Sequence, residues 1–205
     1  MTSAFRAFPA ARFALASAGF AVLLAGCGGS SSLSTAGGAP GVVAAMSTSY
    51  PSALPVQYRR TEVTDPTGEA PGTVVIDTAD KFLYLVEPNG RAVRYGVGVG
   101  KEGFGWSGEA VVGAKQEWPD WVPPPEMLQR RPDLPLRMAG GPENPLGARA
   151  LYLHRGGRDT LFRIHGTNEP HTIGRAMSSG CIRMINFDVE DLYTRVPIGA
   201  KVVVR

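Results

Sequence analysis

Phe82-Leu83-Tyr84-Leu85-Val86-Glu87-Pro88-Asn89-Gly90-Arg91-Ala92-Val93 reads as two strands joined by a tight turn. Phe82, Tyr84 and Val86 recur every second residue, the period of a pleated strand. Asn89-Gly90 is the dipeptide that tolerates the left-handed backbone a two-residue hairpin turn demands, and the apolar run resumes over Val93 to Val99. Outward from this hairpin the same punctuation repeats: short apolar segments at Thr73 to Asp77, Ala110 to Glu117, Ala150 to His154, Leu161 to His165 and Lys201 to Arg205. Helical periodicity is scarce. Asp188 to Val196 predicts one helix, capped by Asn186 or Asp188, with Val189, Leu192 and Tyr193 on its inner face, and Glu126 to Arg130 predicts a short turn. The pattern predicts a mainly β fold, an antiparallel β-sandwich or barrel-like sheet with one or two short helices.

Upstream the composition changes. Arg6 and Arg12 precede an apolar run from Phe13 to Leu24, too short for a membrane span and of the form of a secretory signal peptide over residues 1–26. The run ends in Leu24-Ala25-Gly26-Cys27, which resembles a bacterial lipobox, so Cys27 is expected to be lipidated and to anchor the chain on the periplasmic side, at the outer membrane. Residues 27–71 are rich in Gly, Ser, Ala, Thr and Pro and read as a flexible lipidated tether, with Tyr50 to Val63 expected to lie on the domain. Residues 72–205 then form one domain.

The formal charge of +3 owes two units to Arg6 and Arg12, so the exported chain is close to neutral. Nucleic-acid binding, which needs a clustered basic face, is not expected. With Cys27 used for lipid, Cys181 is a thiol without a partner cysteine in an oxidising compartment, which raises the expectation that the thiol works.

Two segments carry that work. Leu161-Phe162-Arg163-Ile164-His165 ends a strand on a histidine, and Gly166-Thr167 turns the chain so that the ring faces a cleft. Ser178-Ser179-Gly180-Cys181-Ile182-Arg183 puts a glycine before the cysteine and a guanidinium two residues after it. A thiol attacks a carbonyl well once a base takes its proton and amides hold the developing oxyanion, so the cluster reads as an acyl-transfer site. No C-x-x-C or H-E-x-x-H pair is present, and neither metal nor cofactor is expected. The long proline-rich stretch from Trp118 to Gly147 reads either as plain packing or as a wall of the substrate groove.

The segment from about Gly72 to Arg205 resembles the L,D-transpeptidase catalytic domain (YkuD-type) of bacterial cell-wall enzymes, in its proteobacterial lipoprotein branch. The resemblance is carried by His165-Gly166-Thr167, Ile173-Gly174, Ser178 through Met184, and Val196-Pro197 through Val202. It implies the fold of that catalytic domain and a reaction on peptidoglycan stem peptides. Cys181 would attack a tetrapeptide stem and release its terminal D-amino acid. His165 would act as base and then acid, its ring oriented by the Gly166 carbonyl. The acyl group would pass to an amine of another stem or of a lipoprotein. Gly180 and Cys181 amides would form the oxyanion hole, Arg183 would meet a substrate carboxylate or brace the loop, and Ser179 and Thr167 would line the groove.

Ser179 stands where many members carry histidine, and His171 where tryptophan is frequent. His154 alternates with apolar positions and reads as structural. A sortase-like enzyme would space its histidine much further from its cysteine, and a papain-like one would reverse their order. A peptidoglycan-binding lipoprotein without activity, and a carboxypeptidase using water as acceptor, are the remaining alternatives.

Overall fold

The computed structural model of the chain describes residues 50–102 and 104–205. The leader, Cys27 and the first part of the tether lie outside the described residues. No helix among the described residues is long and apolar enough to cross a membrane.

Two strands decide the architecture. Val74–Asp77 (β2) and Phe82–Glu87 (β3) are apolar on both faces, so each must be covered on both sides. One side joins the main core with Leu83, Leu85, Val93, Leu151, Ile164 and Leu192, and the other packs Val75, Tyr84, Val86 and Ala92 into a second, smaller cluster. Asn89 and Gly90 both have positive φ, 62° and 69°, as the hairpin turn into Arg91–Gly96 (β4) requires. Thr61–Thr64 (β1) covers the outer edge of β4.

Beyond β2 the sheet continues through Lys201–Val204 (β11), Gly108–Glu117 (β6), Arg149–Arg155 (β7), Arg158–His165 (β8) and Ile182–Arg183 (β10). The nine-stranded order is β1-β4-β3-β2-β11-β6-β7-β8-β10. Val99–Gly100 (β5) and Ala176–Ser178 (β9) pair separately. The fold is mainly β as expected, but the sheet is mixed: β11 lies parallel to β2, β10 parallel to β8, and β5 parallel to β9. The parallel pairs follow from connectivity, because each joins segments separated by a long excursion rather than by a hairpin.

The α-helices among the described residues are Pro125–Arg130 (α1) and Asn186–Arg195 (α2). Val189 and Leu192 of α2 enter the main core. The cap differs from expectation: Ile185 is the N-cap of α2, and the Asn186 side-chain Oδ1 instead accepts the Ala148 amide at 3.0 Å. Neither Asn186 nor Asp188 caps the helix, because both are used to hold neighbouring segments.

Residues 50–71, whose composition reads as tether, are part of the described fold. Leu54 is buried against Ile173 and Ile185, flanked by Tyr50, Tyr58 and Phe187. These large side chains supply the apolar surface that the surrounding Ser, Thr and Pro residues lack, and that offsets the cost of ordering the segment.

Candidate active site

His165 ends β8 and Cys181 immediately precedes β10, so the pairing of these strands sets their geometry. In register, Ile182 lies beside Ile164 and Arg183 beside His165. Extending the ladder back one residue puts Cys181 beside Arg163. Side chains two apart share a face, so Arg163, His165, Cys181 and Arg183 project together while Ile164 and Ile182 enter the core. The edge strand thus carries the thiol diagonally across from the imidazole.

The imidazole is 4% exposed, and its Nδ1 lies 2.5 Å from the Gly166 carbonyl oxygen. With Nδ1–H donating there, Nε2 is left with a lone pair. Burial pushes His165 down to about 4, against the smaller upward effect of the Gly166 carbonyl. Cys181 is half-buried, and burial likewise pushes its thiol up, opposed by the Arg163 backbone amide and the charges of Arg163 and Arg183. Both shifts favour the neutral forms.

Glycine is obligatory around this pair. Gly180 has φ +111°, and a Cβ there would come within 2.6 Å of the Phe162 ring and 2.8 Å of the Phe104 carbonyl oxygen. A Cβ on Gly166 would meet the Asn186 side-chain oxygen at 2.2 Å. The His-Gly turn is therefore pressed against the first residue of α2.

Other residues singled out by sequence have more specific partners. The Gly180 amide donates to Ser178 Oγ at 3.2 Å, and Ser178 Oγ donates to the Cys181 carbonyl at 2.6 Å. The buried Ser178 hydroxyl thus staples the tight turn, and the Gly180 amide is engaged here rather than free for an oxyanion. Arg183 pairs with Glu169 at 2.8 Å, which braces the loop after His165 against β10. Thr167 is buried, and its Oγ1 accepts the Glu169 amide at 3.0 Å. Ser179 is exposed at the tip of the turn, and His171 is exposed in the 3-10 turn Pro170–Thr172. Among the described residues no group of three or more His, Cys, Asp and Glu side chains is placed to hold a metal ion.

Glu169, Ser178 and Asn186 are the structural partners that sequence reading did not assign to the site. Ser178 was legible as part of the turn motif. Glu169 offered no signal, since its role depends on a strand pairing fourteen residues away in sequence.

The stretch from Trp118 to Gly147 is braced internally. Asn144, 1% exposed, donates through Nδ2 to the carbonyls of Pro119 and Ala139, each at 3.0 Å, and Trp121 bridges to Met138. Its base reaches the site, for Gly147 has φ +63° and a Cβ there would lie 2.5 Å from the Thr167 amide nitrogen. On the other flank, a cavity of about 280 Å³ is lined by Lys101, Glu102, Trp106, Gly180 and Ile182 among others.

The fold is thus a mixed sheet whose edge presents a cysteine, a carbonyl-oriented histidine and a glycine-dependent turn. The chain belongs to the L,D-transpeptidase catalytic domain family (YkuD), whose family model matches residues 71–204. It is similar to the Probable L,D-transpeptidase ErfK/SrfK of Escherichia coli strain K12, 36% identical over 138 residues, 63% of this chain and 42% of that protein. It is also similar to the Probable L,D-transpeptidase YbiS of the same organism, 34% identical over 139 residues, 63% of this chain and 43% of that protein. The matched region thus spans about two fifths of the length of these curated relatives. A crystal structure from Brucella melitensis, described as a probable carnitine operon oxidoreductase caia, is 51% identical with a TM-score of 0.51 and covers 75% of this chain and 97% of that one. A dinucleotide-binding oxidoreductase fold would require a glycine turn opening a helix between parallel strands. Here Gly96 ends β4, Gly100 ends β5 and Gly98 lies between them, and no α-helix precedes β6 among the described residues.

Proposed function

We propose that this protein is a peptidoglycan L,D-transpeptidase with Cys181 as nucleophile and His165 as its base. The observation that carries this reading is the His165 Nδ1 to Gly166 bond of 2.5 Å, which fixes the tautomer whose Nε2 lone pair serves a thiol on the same face. The names of the curated relatives support the same activity.

In the first step Sγ bonds to the carbonyl carbon linking an L centre to the terminal D-amino acid of a tetrapeptide stem, and the thiol proton passes to Nε2. The tetrahedral oxyanion is held by the Cys181 amide and by the Gly180 amide, whose 3.2 Å bond to Ser178 is long enough to be given up for a charged acceptor. The C–N bond breaks, Nε2 returns the proton to the leaving amine, and a thioester remains. In the second step an amine of another stem or of a lipoprotein attacks the thioester, loses its proton to Nε2, and the sulfur leaves and is reprotonated. Arg183, held by Glu169, contributes positive charge beside the sulfur and braces the loop. Ser179 and Thr167 sit at the rim and the base of the groove. The enzyme works outside the cytoplasm, exported by residues 1–26 and held on the periplasmic face of the outer membrane by lipid on Cys27.

Cys181→Ala is expected to abolish release of the terminal D-amino acid from purified tetrapeptide muropeptides while the circular dichroism spectrum stays native. Release at the unmodified rate would rule out the assignment.

A further inference from the structure

The family match begins at residue 71, yet the chain immediately before it is stitched to the back of the nucleophile turn. Tyr50 donates its hydroxyl to Asp188 at 2.8 Å and accepts the Arg60 amide at 2.9 Å, while Arg60 pairs with Asp191 at 2.9 Å. The Tyr50 ring meets Phe187 edge-on with centroids 5.7 Å apart, and the Arg60 guanidinium lies 4.9 Å over the other side chain's ring centroid. These contacts grip the residues that follow Cys181.

Leu54 and Tyr58 grip both sides of it. Leu54, 4% exposed, packs on Ile173, which precedes the cysteine, and on Ile185, which follows it. Tyr58 fits where Gly96 and Gly174 leave room: a Cβ on Gly174 would come within 2.3 Å of the Tyr58 ring, and one on Gly96 within 2.4 Å of its carbonyl oxygen. Those two glycines flank the segment that laces the nucleophile turn to the sheet. Gly174 donates to Val97 at 2.9 Å, Gly98 and Arg183 exchange bonds of 2.9 and 2.8 Å, and Lys101 donates to Ser178 at 3.1 Å. The strap therefore bears on both ends of the loop that carries Cys181.

We propose that residues 50–64 are a working part of this enzyme, a strap in which Leu54 and Tyr58 act as positioning residues that hold the nucleophile turn in register with His165. The proposal rests on the reading of Cys181 as nucleophile. Both act from behind the turn, through Ile173, Ile185 and Gly174. Their effect comes from the tolerance of the reaction, since a displacement of about 1 Å at a reacting atom costs up to about a hundredfold in rate.

The test uses the full-length chain and compares Tyr58→Ala and Tyr58→Phe with Val203→Ala, a truncation on β11, which three strands separate from β1. Two rates are read at a temperature where all variants retain native circular dichroism: D-amino acid release, and alkylation of Cys181 by iodoacetamide. Tyr58→Ala is expected to lower kcat about tenfold and to raise the alkylation rate, because a loosened turn exposes the thiol while misaligning it. Tyr58→Phe keeps the ring against Gly174 and is expected to stay within about twofold of the parent. Val203→Ala is expected to lower the melting temperature and leave both rates unchanged. If Tyr58→Ala fails to fold, Leu54→Val removes one methylene and is read in the same way. Equal rates in the strap variant and in Val203→Ala would overturn the strap. A parent enzyme that releases no D-amino acid, but whose alkylation still separates Tyr58→Ala from Val203→Ala, would overturn the transpeptidase reading and leave the strap standing.

Discussion

The β7–β8 hairpin carries a histidine at each end. At the turn end, Gly156 and Gly157 adopt φ of 56° and 76°, and His154 lies half-buried with its ring over Gly113, where a Cβ would come within 2.2 Å of it. Gly113 is the extra residue of a β-bulge in β6, since the register with β7 shifts between Val112 and Ala114. His154 fills the space that this glycine leaves. At the open end, His165 pairs with Ala150, is buried, and has one ring nitrogen tied to Gly166. Burial alone does not separate a working imidazole from a packing one. What sets His165 apart is a ring nitrogen held by a neighbouring carbonyl on a face that the ring shares with a thiol.

The largest effect expected from breaking this contrast comes from exchanging each ring for an amide. In the proposed mechanism His165→Gln removes the general base, and it should lower kcat for D-amino acid release by about 10²- to 10⁴-fold. His154→Gln should leave kcat within about twofold, with the change confined to stability at about 1 kcal/mol. Steady-state kinetics and thermal melts on both variants decide it, and comparable loss of kcat in the two would erase the distinction.

A second contrast is in pH. An ordinary imidazole loses its lone pair near 6.5, whereas His165 is pushed down to about 4 by burial. The acid limb of kcat/KM should therefore have its midpoint near pH 4, with activity at pH 5.5 close to that at pH 7. A midpoint near 6.5 would show that the ring is solvated in the working enzyme. The same shift works against folding in that range. Because the unfolded ring takes up a proton near 6.5 and the native ring does not, the stability His165 contributes is present above 6.5 and lost as pH falls towards 4. The profile should therefore be measured well below the melting temperature.

Most of the sheet and the central pair were legible in the sequence because they are local. Phe82–Glu87 alternates along its own length, Asn89-Gly90 announces its own turn, and His165 and Cys181 are marked by the glycines beside them. What stayed hidden depends on pairing between distant segments. The parallel pairing of β10 with β8 involves two residues on the edge strand and no periodicity at all. Glu169 gains its role only once that pairing brings Arg183 alongside. For residues 50–64 the aromatic and leucine side chains announced contact with the domain, but not the place: that Leu54, Tyr50 and Tyr58 meet Ile173, Ile185 and Phe187 depends on segments more than a hundred residues away.

The smallest expected effect concerns the other buried acid-base group. Asp188 is fully buried at the foot of the strap and held up to about 6, chiefly by burial, with the Tyr50 hydroxyl and Arg60 drawing it down and Asp191 adding to the rise. Its Oδ1 accepts from Tyr50, while Oδ2 has no hydrogen-bond partner. A carboxyl whose native value exceeds its unfolded one contributes stability that is full below about 3.9 and lost as pH rises through 6. Asp188→Asn keeps an oxygen for Tyr50 and places a neutral NH2 at the unpartnered position. It should therefore stabilise the protein by about 2 kcal/mol at pH 7 and by little at pH 4, as read from urea unfolding at the two values. Asp188 thus works in the opposite sense to His165 across the same range: acidification charges the unfolded imidazole against folding, while it neutralises the buried carboxylate in favour of folding. Equal stability of Asp188→Asn and the parent at both pH values would mean that the strap leaves the carboxylate solvated, and the contacts of Tyr50 would then be too loose to hold the segment.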